Sequence, residues 1–218
     1  MTGEGECAIP KPMIELTAND CFAKGFHRAC YIHPADGGLC IKVSLRGDFR
    51  ESEREIRYYR HLAGRKISWD MLPRFHGSVE TNLGAGAVFD LIRDYDGEIS
   101  KTLVSYFNSA ALAEANLTGL TQGFKRLRDY LMEHRIVTRT IKAKNVLYHR
   151  RDAENGCLMI IDNIGNTEFI PYANYIGYFA RAKTARKWRR FEAHTIEHYP
   201  SNPFIGAMLP GEPGSGHG

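Results

Sequence analysis

The 218-residue chain has no apolar run near the ~20 residues that a membrane-spanning helix needs, which excludes a helical integral membrane protein. Its beginning, "MTGEGECAIPKPMIEL", lacks a basic segment followed by an apolar one, so it does not read as a secretory leader. Cysteine is scarce: Cys7, Cys21, Cys30, Cys40 and Cys157 are odd in number and form no CxxC pair. That argues against a disulfide framework or a structural zinc site, and for reduced thiols in a cytosol. The phosphate-cradling pattern GxxxxGK[ST] is missing, and "GAG" at 84–86 lacks the third glycine and following helix of a dinucleotide site. Charge of one sign is lacking too. With 29 basic against 25 acidic residues the net charge is +4, too mild to argue for nucleic acid by itself.

What is present suffices for a folded core, since 43% of the residues are hydrophobic. "FHRACYIHP" and "LCIKVS" read as strands around the turn "ADGG", and "RFHGSVET" and "GAVFDLI" as a second pair around "NLGAG". Between the pairs, "DFRESEREIRYYRHLAG" reads as a helix: Asp48 can cap it, Ile56, Tyr59 and Leu62 recur at helical spacing, and Gly64 ends it. Beyond "RDYDGEIS" the character changes. Leu117, Leu120, Phe124, Leu127 and Leu131 step by three and four, the mark of a long amphipathic helix. "NVLYH" and "LMIID" then make a short hairpin, and residues 172–198 read as a helix with aromatics on one side and cations on the other. The expected architecture is α+β: flexible residues 1–12, a β-rich lobe at 13–93, a helical lobe at 94–200 and a flexible tail at 201–218.

The chemistry-bearing residues fall in the order of a protein-kinase-like fold. Lys42 lies alone in the apolar strand "LCIKV", where a cation can neutralise nucleotide phosphates if a partner fixes it. Glu55, on the next helix, can be that partner, with Glu51 a turn earlier as a substitute. In "RIVTRTIKAKN", Lys142 can touch a terminal phosphate and Asn145 can hold a metal ion. Asp162, after the apolar run "LMII", can bind Mg²⁺ that bridges phosphate oxygens. Each residue alone has an ordinary reading as a solvated lysine, a surface glutamate or a turn aspartate. Two features depart from an active enzyme. Thr140 stands where the catalytic carboxylate base belongs, and a threonine hydroxyl does not ionise near neutral pH. The glycine-rich loop keeps only Gly25, with Ala23 and Arg28 at the other glycine places. Arg28 can compensate by charge or fill the site.

The runs "FHRACYIHP", "CIKV", "REIRYYRHL", "PRFHGSVET", "RIVTRTIKAKNVLYHRR" and "IDNIGNTEFIP" together resemble the YrbL family, small bacterial proteins of the PhoP regulatory network. The likeness covers roughly residues 13–195. It implies a kinase-like fold, ATP or another purine nucleotide with Mg²⁺ as the ligands, and a regulatory context rather than a reaction. The expected function is a pseudokinase-like nucleotide binder. A slow or atypical ATP-dependent phosphotransferase is the alternative, because phosphoryl transfer depends largely on positioning and charge neutralisation.

Two other readings compete. "HTIEH" matches H-x-x-E-H through His194, Glu197 and His198, but a zinc hydrolase needs a third ligand, normally from a later segment. The cluster "ARAKTARKWRR" (residues 180–190) carries Arg181, Lys183, Arg186, Lys187, Arg189 and Arg190, with Phe179 and Trp188 nearby. It can contact an acidic protein partner, or phosphates and bases, although a solvated helix face is the plainer reading.

Overall fold

The computed structural model describes residues 13–45, 49–165 and 177–209. The expected helix cap at Asp48 lies outside them, as do the chain's first twelve residues and its last nine. The chain divides into two compact units. One comprises the described residues up to Ser52 together with Phe75–Leu91; the other comprises Glu53–Arg74 and the described residues from Ile92 onward.

The first unit is built on a five-stranded antiparallel sheet of β1 (Cys21–Lys24), β2 (Arg28–His33), β3 (Asp36–Ser44), β4 (Phe75–Thr81) and β5 (Gly84–Asp90), in the order β1-β2-β3-β5-β4. β3 is central, paired on both sides, and Cys40, Ile41, Lys42 and Val43 are all buried. The period-two alternation of a strand sends Ile41 and Val43 to one face, where they join Leu16, Ala29, Tyr31 and Val88 in a core. Cys40 and Lys42 take the opposite face. β1 is an edge strand that the sequence reading missed. Apart from half-buried Cys21 its residues are exposed, and its pairing with β2 is interrupted between Cys21 and Ala23, so it shows no alternation to find.

The second unit holds most of α1 (Arg50–Ala63), then α2 (Leu103–Phe107), α3 (Ala110–Ala115), α4 (Leu117–Glu133), the hairpin β6 (Val146–Arg150) and β7 (Gly156–Ile160), α5 (Gly177–His198) and α6 (Ile205–Met208). α1 thus groups mainly with the helical unit, not with the β-rich residues 13–93 where the sequence placed it. α4 buries Leu120, Phe124, Leu127 and Leu131, which supplies the stripe that its spacing predicts. Its Gly123 lies close to β7: a Cβ there would stand 3.0 Å from Leu158 Cγ. The segment expected as a tail is structured up to Leu209. The Asn202 amide donates to the carbonyls of Tyr106 (3.0 Å) and Phe107 (3.1 Å), and Ile205, Met208 and Leu209 are buried. Among the described residues no helix is long and apolar enough to cross a membrane, and Cys21, Cys30, Cys40 and Cys157 form no disulfide.

Candidate functional site

The loop after α4 begins where Arg135 takes a left-handed backbone (φ 49°) and the Arg65 guanidinium donates to the carbonyl of His134 (2.5 Å). This arginine closes a helix end whose carbonyls lack helical partners. Ile136 and Val137 are buried, and the Val137 N–H donates to the Tyr58 hydroxyl of α1 at 2.8 Å. Residues 137–145 then run beside residues 161–165, the segment that leaves β7. Gly165 N–H donates to Val137 O (2.8 Å), Arg139 N–H to Asn163 O (2.7 Å) and Ile161 N–H to Asn145 O (2.9 Å), with an antiparallel bridge between Thr138 and Ile164. The Lys187 ammonium of α5 donates to the Thr138 carbonyl.

This lacing needs an unusual backbone in the second segment. Asn163 (φ 63°) and Gly165 (φ 106°) both occupy the left-handed region, which asparagine and glycine tolerate better than other residues. The result sets Asp162 beside Asn145 along the backbone. Asn145 is buried, at 7% exposure, and Asp162 is half-buried with its Oδ1 accepting from the Asn163 N–H at 2.6 Å. Among the described residues no group of three or more His, Cys, Asp and Glu converges to hold a metal ion. Asn145 and Asp162 offer two oxygen-bearing side chains here, without the closed protein cage that a structural metal site needs.

Thr140 is exposed, and its Oγ1 accepts from the Asn163 amide at 3.1 Å. Thr140 is thus a neutral hydroxyl tied to the neighbouring segment. Lys142 is exposed on the same loop. Glu55 is buried on α1 (5% exposed), on the face that carries Tyr58, Tyr59 and Leu62, so it is no surface glutamate. In the sheet unit, Lys42 is 9% exposed and its ammonium lies 4.3 Å from the Phe89 ring centroid. A snorkelling, solvated lysine is the reading this burial displaces. Gly25 sits in the turn between β1 and β2, where its N–H donates to the Arg28 carbonyl (2.8 Å), and Arg28 opens β2, half-buried.

Sequence reasoning missed the residues that hold the loop: Tyr58, Asn163 and Lys187. The available signal was the Asn-x-Gly pair at 163 and 165, two residue types that tolerate the left-handed region, one residue apart. The basic-helix reading needs correction in one respect. Trp188 is buried at 2% exposure with its indole N–H donating to Glu192 (2.7 Å), so it offers no face for stacking on a base. Phe179 lies in a stretch whose side chains are not described. His194 and His198 stack with ring centroids 4.0 Å apart, but no third metal ligand joins them among the described residues.

A family model described as PhoP regulatory network protein YrbL matches residues 14–196. The protein named "Uncharacterized protein YrbL" from Escherichia coli (strain K12) is 40% identical over 184 residues, which cover 83% of this chain and 87% of that protein. Its namesake from Shigella flexneri matches to the same extent.

Proposed function

As the chain belongs to the PhoP regulatory network protein YrbL family, we propose that it is a regulatory protein of kinase-like fold that binds a purine nucleotide with Mg²⁺ and transfers phosphate poorly or not at all. The observation that carries this reading is the lacing of residues 137–145 onto 161–165, which brings Asn145 and Asp162 together at the open end of the β6–β7 hairpin. In a kinase the asparagine of the catalytic loop and the aspartate after the following hairpin are the metal ligands. The chain order adds support. A lysine on the third strand of the sheet is followed by a helix bearing a buried glutamate, and two more strands follow that helix.

Each residue has a part on this reading. Asn145 and Asp162 supply oxygen ligands to Mg²⁺, Lys42 neutralises phosphate charge, Glu55 is the helix carboxylate of the kinase pattern, and Lys142 meets the terminal phosphate. Gly25 and Arg28 contribute the loop over the phosphates. Thr140 has no basic form near neutral pH, and its oxygen accepts from Asn163, so deprotonation of an acceptor hydroxyl lacks its usual agent. Calorimetric titration of ATP with and without Mg²⁺ tests the proposal. Metal-dependent, saturable binding is expected, and Asp162→Ala should weaken it at least about tenfold, the effect of one charged contact. Equal affinity in wild type and variant would remove Asp162 from the site, and no binding in either condition would overturn the nucleotide reading.

A further inference from the structure

The catalytic-type loop has a second surface, facing α5, of which the nucleotide reading uses Lys142 alone. There a cavity of about 400 Å³ opens between residues 139–144 and the C-terminal half of α5. Its size falls within the range of small-molecule sites, roughly 300–1,000 Å³. Arg139, Lys142 and Lys144 reach it from the loop, and Lys187 and Arg190 from the helix. No carboxylate stands among the described residues that line it. The floor is apolar, formed by Val104, Ile141 and Phe191.

Cations gathered at one concavity repel one another, and low-dielectric walls focus their field into the cavity, which favours an anion there. One of them is fixed in place: the Lys187 ammonium donates to the Thr138 carbonyl, which keeps its charge at the wall. Lys144 and Arg190 are exposed and project from opposite sides, so an anion between them gains two charge-assisted contacts. The apolar floor selects further. A bare inorganic anion leaves it wet, whereas a phosphate joined to a ring or short chain covers it. We propose that this cavity is a binding site for a small organic phosphate, distinct from the site of Asn145 and Asp162. The assignment stands whether or not a nucleotide binds there.

Phenyl phosphate and inorganic phosphate are suitable probes, titrated into the full chain at low salt with and without saturating ATP and Mg²⁺. Phenyl phosphate is expected to bind one to one, tighter than inorganic phosphate, and still to bind when ATP is present. Lys144→Ala combined with Arg190→Ala should weaken it about a hundredfold, taking roughly tenfold for each lost charged contact. The same double variant should keep the wild-type melting temperature and isotherm for ATP with Mg²⁺. Lys125→Ala with Arg126→Ala, two exposed cations of α4 outside the cavity, should leave phenyl phosphate binding unchanged. The proposal is overturned if neither anion binds saturably, if ATP displaces phenyl phosphate, or if the α4 pair weakens binding as much. A phosphotyrosine peptide that binds far more tightly than phenyl phosphate would also overturn it, by making the face a protein-docking surface.

Discussion

Asn163 shows how one residue's backbone carries a site. It holds φ 63°, its carbonyl accepts from Arg139 and its amide donates to Thr140. The two contributions separate by substitution. Asn163→Ala removes the side-chain bond and leaves a Cβ residue in the left-handed region; Asn163→Gly removes the same bond but tolerates that region freely. The glycine variant should therefore be the more stable by about 1 kcal/mol in urea unfolding. Equal stabilities would mean that residue 163 is not held left-handed in solution. At this scale the sequence shows Asn145 and Asp162 in chain order, and the fold lays their backbone segments side by side. It was silent on Lys187, because a lysine within a run of cations reads as solvated until the fold brings it to the Thr138 carbonyl. Trp188 was misjudged for a related reason. An aromatic amid charges looks available, yet helical periodicity aligns it with buried Thr184, Phe191 and Thr195.

Among the elements, α4 and the β6–β7 hairpin form the platform beneath the loop, and glycines set how closely they approach. Gly119 of α4 and Gly156 of β7 both lie against the Tyr148 ring of β6, where a Cβ would stand 1.9 Å from the hydroxyl oxygen and 2.5 Å from Cζ, respectively. By propensity alone, Gly119→Ala would stabilise a helix interior by about 1 kcal/mol. The overlap with Tyr148 is the larger effect, since overpacking a core costs about 1–3 kcal/mol. Net destabilisation is expected, and adding Tyr148→Phe, which deletes the clashing oxygen, should recover most of the lost melting temperature. A stabilised single variant would show that α4 stands farther from β6. Elements with strong periodicity were legible: β2 to β5, α1, α4 and the hairpin all fall where alternation or a helical stripe puts them. β1 and α6 were not. Four residues are too few to show a period, and both are fixed by distant partners, β1 through its ladder to β2 and α6 through Asn202 and its buried flank.

For the molecule as a whole, titration links burial to stability. His61 and His149 both have their pKa lowered from the ordinary histidine value, in each case first by burial. A neighbouring arginine adds to the effect, Arg65 for His61 and Arg151 for His149, while Asp94 partly opposes it at His149. A folded-state pKa below the unfolded one means that the unfolded chain binds protons more readily. The stabilising contribution is therefore fully present above the unfolded histidine pKa of about 6.5, and is lost as pH falls through the lower folded values. The carboxylates with lowered pKa, Asp20, Asp96 and Asp152, follow the same sign but act near and below their ordinary value of 3.8, outside this window. The melting temperature should accordingly fall between about pH 7.5 and 5.5 with a slope set by these two histidines. His149→Gln and His61→Gln should each flatten that slope, and together they should nearly remove it. A wild-type melting temperature constant across the window would show that neither ring is held from its proton in the folded state. A slope that survives both substitutions would assign it to other groups, and the burial of the two rings would then have no part in the acid sensitivity of the fold.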